Sequence, residues 1–224
     1  RFPDMRVDIW AMDDHPGRYT YPPEVTGSIP QHDQSAYLGA ARMIEASGAQ
    51  AIWVQHEYGI YGGAAGEHLM TLLDRTTLPV MVTLHTVLET PSVDERRVME
   101  ALLRRAARVI VMAEKGREIL RRVHGVDGHK LVMIPHGVPD RPFADPAELK
   151  PRFGWEGRKV ILTFGLLAPS KGIETLIAAM PKVTERHPDA LYIVLGATHP
   201  NLVEHQGEAY RERLHGLATE LGIE

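Results

Sequence analysis

Seven short runs rich in Val, Ile and Leu recur along the chain, and segments of helical periodicity separate most of them. The runs cover residues 5–12, 51–55, 80–84, 109–112, 131–134, 160–164 and 191–195. Several are nearly free of polar residues, the pattern of strands buried on both faces of a parallel sheet. Helical patterns occupy residues 33–47, 64–74, 94–107, 114–123, 172–186 and 207–221. Within 94–107, Val98, Ala101, Leu102 and Ala106 share one face and charges cover the other. The alternation predicts an α/β architecture with parallel sheets.

Residues 135–146 (PHGVPDRPFADP) contain four prolines and one glycine and mark a boundary. The organisation expected is a first Rossmann-like domain over 1–139, a linker over 140–158 and a second Rossmann-like domain beginning at 159. A short helix is expected near 148–153. Only two strand and helix units follow residue 159, too few for an independent sheet, so this domain is expected to be truncated at 224. The first strand of the first domain is expected to be missing.

Composition narrows the function classes. The formal net charge is −4 over 224 residues, with no Lys/Arg run of the kind that binds nucleic acid. No run of about 18 apolar residues suggests a membrane span, and Arg1-Phe2-Pro3-Asp4 does not resemble the start of a signal peptide. The absence of Cys excludes disulfides and thiolate zinc sites and agrees with a cytoplasmic location. The 12 His residues are scattered, and His56-Glu57 does not extend to a His-Glu-x-x-His spacing, so no metal site is expected.

In open parallel sheets, ligands bind beyond the carboxyl ends of the strands. After 51–55 comes His56-Glu57-Tyr58-Gly59-Ile60-Tyr61-Gly62-Gly63-Ala64-Ala65-Gly66. Its four glycines allow tight turns and close backbone approach to a ligand. The helix expected from residue 64 would add free amides and a positive dipole end. A loop that needs glycines only for its turn would look the same. After 80–84 comes His85-Thr86, where an imidazole can bond a hydroxyl or act as acid or base; a structural His fits there equally. After 160–164 comes Gly165-Leu166-Leu167-Ala168-Pro169-Ser170-Lys171-Gly172. A Lys beside a Gly at a helix start suits a phosphate, although this is not a Walker loop and an exposed turn Lys is the plainer alternative. Gly196-Ala197-Thr198-His199-Pro200-Asn201 after 191–195 reads as a pocket floor or a turn.

Together these segments resemble the family-4 retaining glycosyltransferases of GT-B fold. GLLAPSKGIETLIAA (165–179) is similar to that family's phosphate-contact loop and helix. VMIPHGVP (132–139) is similar to its domain crossover, where Asn is common at the place of His136, and VTLHT (82–86) to its acceptor-side strand ending in an active-site His. HEYGIYGG, TLHTVLETP, IPHGVPD and IVLGATHP resemble a bacterial subgroup, so the likeness runs over nearly the whole chain. It implies that a nucleotide-diphosphate sugar is the co-substrate in an interdomain cleft, with no other cofactor and no metal. The acceptor would be a saccharide or a lipid-linked sugar, in polysaccharide biosynthesis. His85 would be catalytic. Lys171, Gly165 and Gly172 would hold the diphosphate, and Gly62, Gly63, His56, Glu57 and His136 would lie toward the donor sugar and the acceptor.

The chain also departs from the family. Leu166 stands where many relatives carry a diphosphate-gripping Arg. The family's paired glutamates should lie beyond residue 224; Glu204, Glu212 and Glu220 read instead as the solvated face of a polar helical stretch. The chain alone is expected to be inactive and the intact enzyme roughly twice as large. A GT-B phosphorylase or epimerase is an alternative, and Leu166 keeps open a non-catalytic sugar- or nucleotide-binding module. Glu95, Arg96, Arg97, Glu100, Arg104 and Arg105 could meet an acidic lipid surface, but their alternating signs fit intrahelical pairs on a wet face.

Overall fold

Parallel neighbours can form only if the chain returns to the same end of the sheet between strands, and the amphipathic segments supply that return. In the computed structural model, which describes residues 4–223, the chain divides into two compact units, Arg1–Pro139 and Asp140–Glu224. The first unit carries β1 (Ile9–Asp13), β2 (Val25–Pro30), α1 (Gln34–Ala46), β3 (Ile52–His56), α2 (His68–Leu73) and β4 (Val80–Leu84). It continues through α3 (Val93–Arg105), β5 (Arg108–Val111), α4 (Glu114–His124) and β6 (Leu131–Met133). The second unit holds α5 (Pro146–Leu149), β7 (Lys159–Phe164), α6 (Ile173–Arg186), β8 (Ala190–Leu195), α7 (Pro200–Gln206) and α8 (Ala209–Glu220).

All pairing is parallel. β3, β4, β5 and β6 form one sheet in that order, and β1–β2 and β7–β8 form two-stranded sheets. In the larger sheet the register aligns Val54 with Val82, Val82 with Val109 and Val109 with Leu131. These side chains share a face and belong to one buried cluster with Leu102 and Met99 of α3, Tyr37 and Ala41 of α1 and Leu120 of α4. The second unit has its own smaller core of Leu167, Ile173, Ile177, Tyr210 and Leu214.

Local chemistry sets the helix ends. Ser92 and Glu95 form a reciprocal capping box at the start of α3, with Asp94 and Glu95 in its first turn and Arg104 and Arg105 in its last. The Arg105 guanidinium bonds the carbonyls of Leu73, Thr76 and Leu78 at 2.8–3.0 Å and so closes the end of α2. Gly125, at φ +62°, terminates α4 in a conformation that suits glycine.

Four sequence expectations change. The first strand begins at Ile9, not at residue 5. β2 was not expected, because Thr26, Gly27 and Ser28 interrupt its apolar run; Gly27 is used there, since a Cβ would stand 2.7 Å from the Trp10 ring. Residues 64–74 are not one helix. A 3-10 turn over Ala64–Gly66 contains Ala65 at φ +52° and Gly66 at φ +82°, and α-helix begins only at His68. Gly207, at φ +60°, divides the last polar stretch, so Glu204 lies on α7 and Glu212 on α8, and their spacing does not describe one helical face.

The later part of the 140–158 segment is built into the second unit. α5 runs into a 3-10 turn closed by Gly154 at φ +69°. Lys150 Nζ donates to the Arg158 carbonyl at 2.8 Å, and the Arg158 guanidinium donates to the carbonyls of Asp189 and Ala190 at 3.1 and 2.8 Å.

Leu102 is fully buried under the main sheet. Leu102→Ala is expected to lower the stability of the first unit by about 2–5 kcal/mol. Urea unfolding followed by far-UV circular dichroism measures it.

Candidate active site

Successive side chains of a strand face opposite ways. At the end of β3 this separates Gln55, on the exposed side, from His56, in the core. The backbone ladder runs one residue beyond β4, because His85 N–H donates to the His56 carbonyl at 2.9 Å. That bond holds His85 at the rim of the sheet with its side chain exposed. Its Nε2 lies 2.9 Å from Gln55 Oε1, and its ring centroid lies 6.4 Å from that of His136 in the loop after β6. The Glu57 carboxylate accepts from the Thr86 hydroxyl at 2.8 Å and from the Tyr58 amide at 3.0 Å. The carboxyl edge of this sheet therefore carries His85, Glu57 and His136 on three different loops.

His56 does not join them. Its side chain is fully buried, edge-on to Tyr58 at 5.1 Å and stacked on Tyr61 at 6.0 Å. Among the described residues neither ring nitrogen has a hydrogen-bond partner. Burial pushes its pKa down to about 4; Glu57 pulls it upward and His85 adds slightly to the lowering. His56 is thus a neutral support beneath the loop, not a group offered to a ligand.

The glycines after β3 serve packing as well. A Cβ on Gly62 would stand 2.0 Å from the Gln31 carbonyl oxygen. Gly62 N–H donates to the Tyr37 hydroxyl at 3.1 Å, which donates onward to Gln31 O at 2.8 Å. Gly63 takes φ +80°, and its carbonyl accepts from Gly66 N–H at 3.2 Å. His68 N–H donates to Gly62 O at 3.0 Å, and α2 has only six residues. Of the amides that the anion cradle expected from these glycines would use, those of Gly62, Gly66 and His68 are already bonded within the chain.

The second unit has its own carboxyl edge. Gly165 N–H donates to Leu195 O at 3.0 Å and Leu167 N–H to Ala197 O at 2.8 Å, so the β7–β8 ladder continues into the loops. Gly196 is required there, since a Cβ would approach the Gly165 carbonyl oxygen to 1.7 Å. Pro169–Lys171 makes a single 3-10 turn, and Gly172, at φ +63°, caps the 14-residue α6 without a side-chain acceptor for its first amides. Lys171 is exposed, and among the described residues no carboxylate pairs with it. Leu166, 44% exposed, brings no charge to this loop.

Arg211 was not singled out in the sequence. From α8 it donates to Gly196 O at 2.8 Å and pairs with Glu208 at 3.2 Å, while Glu208 accepts from the Thr198 hydroxyl. A guanidinium therefore stands at the loop in backbone contact with Gly165. Only its position in space, after the chain has travelled 15 residues, reveals it.

The charges of α3 are largely used within the chain. Arg97 pairs with Glu67 at 2.7 Å and Asp94 at 3.1 Å, Arg96 with Glu100 at 3.7 Å, and Arg105 is taken up by carbonyls. This is the wet-face arrangement, not a free basic patch. Among the described residues, no helix is long and apolar enough to cross a membrane, and no three His, Asp or Glu side chains cluster as metal ligands.

Comparison with known proteins agrees with this architecture. The model of Glycosyltransferase Family 4 matches residues 4–141, and that of Glycosyl transferases group 1 matches residues 146–224. An alpha-D-kanosaminyltransferase of Streptomyces kanamyceticus is 28% identical over 100 residues, 42% of this chain and 26% of the relative. A GDP-mannose-dependent alpha-(1-6)-phosphatidylinositol monomannoside mannosyltransferase of Mycolicibacterium smegmatis is 33% identical over 94 residues, 40% of this chain and 22% of the relative. Among solved structures, sucrose-phosphate synthase of Thermosynechococcus elongatus aligns with 97% of this chain and 58% of its own, with TM-score 0.73 at 20% identity. HepE of Anabaena, in complex with UDP and glucose, aligns over 90% and 54%, with TM-score 0.67 at 18% identity. At such identities the structural likeness speaks for the fold. The chain spans 26% and 22% of these curated relatives and just over half of the solved chains.

The buried His56 makes stability depend on pH. Its folded pKa of about 4 lies below the ordinary 6.5, so the unfolded chain takes up a proton first as pH falls. Its contribution is fully present above pH 6.5 and is lost progressively toward pH 4, by about 3 kcal/mol in all. In urea unfolding at pH 7.5 and 4.5, His56→Leu is expected to lose less stability on acidification than the unmodified chain. Equal losses would show that His56 is not held neutral by burial.

Proposed function

The chain belongs to the glycosyltransferases of family 4, and from that premise we propose that it is part of a retaining enzyme that moves a hexose from a nucleotide-diphosphate sugar to a saccharide or lipid-linked acceptor. The observation that carries this reading is Lys171, an exposed cation without a carboxylate partner among the described residues, at the uncapped start of α6. An ammonium and the positive dipole end of a helix together suit a diphosphate. The loop reaches this geometry by spending glycine twice, at Gly165 and at Gly172.

The two carboxyl edges have different chemistry. Lys171 and the α6 terminus stabilise the charge that grows on the departing diphosphate, and such fixed groups act more strongly on the transition state than on the ground state. His85, at an exposed rim beside Glu57, Thr86 and His136, offers hydrogen bonds to neutral sugar hydroxyls. No metal has a role in this reading, since the cation and the helix terminus take the part a divalent ion would play. A cytoplasmic site of action belongs to the same reading, with which the lack of Cys agrees. GDP-mannose, named for the Mycolicibacterium relative, and UDP with glucose, bound by HepE, are the first donors to try.

Leu166 favours a second reading, a module that binds the donor without turning it over. Release of nucleoside diphosphate from GDP-mannose and UDP-glucose by the full-length protein separates the two. Under the transferase reading one donor is consumed, the anomeric proton of the product keeps the donor's configuration in NMR, and Lys171→Ala slows release roughly 10²–10³-fold. Donor binding without nucleotide release from any donor supports the second reading and contradicts the first.

A further inference from the structure

Two neighbouring side chains on the exposed side of β3 reach β4 by the same diagonal. Trp53 is in register with Met81 and Gln55 with Thr83, so the next side chain on that face of β4 lies two residues further on. Trp53 Nε1–H donates to Thr83 Oγ1 at 2.8 Å, and Gln55 Oε1 meets His85 Nε2 at 2.9 Å. The offset that ties Trp53 to the sheet therefore also aims Gln55 at the rim histidine. Gln55 is itself held, because its backbone carbonyl accepts from the buried Tyr61 hydroxyl at 2.8 Å. The Glu57 carboxylate is occupied by Thr86 and the Tyr58 amide, and no bond joins His85 to His136 among the described residues. Among the described residues Gln55 is thus the side-chain hydrogen-bond partner of the imidazole.

A carboxamide oxygen accepts and cannot donate. Contact through Oε1 therefore requires the proton on His85 Nε2, and in the neutral ring this leaves Nδ1 as a lone-pair acceptor. We infer that Gln55 is a positioning residue that holds His85 in its Nε2–H tautomer, so that Nδ1 takes a hydrogen bond from a sugar hydroxyl and disfavours phosphate oxygens. The ligand in this inference rests on the transferase reading; the tautomer does not. His85 then reads a neutral hydroxyl donor and not a charged group.

The test is long-range nitrogen–proton correlation NMR of the ¹⁵N-histidine-labelled chain at pH 8, with His85 assigned by His85→Gln. The expected spectrum shows Nε2 protonated and Nδ1 bare. Gln55→Met, which keeps the length of the side chain but removes the acceptor, is expected to lower the Nε2–H share, and Gln55→Glu, which keeps an acceptor, to restore it. In donor turnover by the full-length protein, Gln55→Met is expected to lower kcat by about 10-fold with KM little changed, the size of effect seen when an orienting partner is lost, and Gln55→Glu to recover part of the loss. An Nδ1–H pattern in the unmodified chain, or a pattern unchanged in Gln55→Met, overturns the inference. If the nitrogen pattern is as expected and no donor is consumed, the transferase reading and the hydroxyl assigned to Nδ1 fail together, while the Gln55–His85 assignment stands.

Discussion

The parallel backbone ladder is the interaction on which the rest of this chain depends. Because β3, β4, β5 and β6 all point the same way, the loops that leave them emerge at one edge. A single further rung, from His85 N–H to His56 O, carries the order of the sheet into the first loop residue. Without it His85 would belong to a free loop, and its approach to Gln55 would be one contact among many. The same device recurs in the second unit, where the rungs from Gly165 and Leu167 draw the loops after β7 and β8 together.

The two-residue period of a strand divides the work at the end of β3. Gln55 turns to the exposed side and orients a rim residue, while His56 turns inward and fills space against Tyr58 and Tyr61. The inward choice is costly, since the buried imidazole, which has no hydrogen-bond partner among the described residues, sacrifices solvation. The ring packs beneath the glycine loop, whose close contact with Gln31 leaves no room for a Cβ at Gly62. The rim residues here sit on a tightly packed floor.

How much of this was legible in the residues follows from the range of each signal. Strands such as Val80–Leu84 announce themselves, because apolar runs buried on both faces need no partner to be recognised. The rim position of His85 was readable for the same reason, as it directly follows such a run, and the loop that carries Lys171 begins where another such run ends. β2 was hidden because Thr26-Gly27-Ser28 carries no apolar pattern and only Trp10 explains the glycine. His56 was misassigned because two polar residues in succession, Gln55 and His56, do not say which one faces the core. Gln55 and Arg211 could not be found at all, since their partners lie 30 and 15 residues away. The comparisons supply the family, and the geometry supplies what a family resemblance lacks: which polar groups near the edge are available and which are already used.

In the function proposed, Lys171 and the uncapped start of α6 receive a diphosphate. Titration calorimetry of the full-length protein with GDP, UDP and ADP, repeated with Lys171→Ala, tests it most directly. Binding of one of these nucleotides is expected, with a loss of affinity of about tenfold or more in the variant, equivalent to roughly 1.4 kcal/mol. Equal affinity in both proteins, or no binding of any nucleotide by a folded full-length protein, would contradict it.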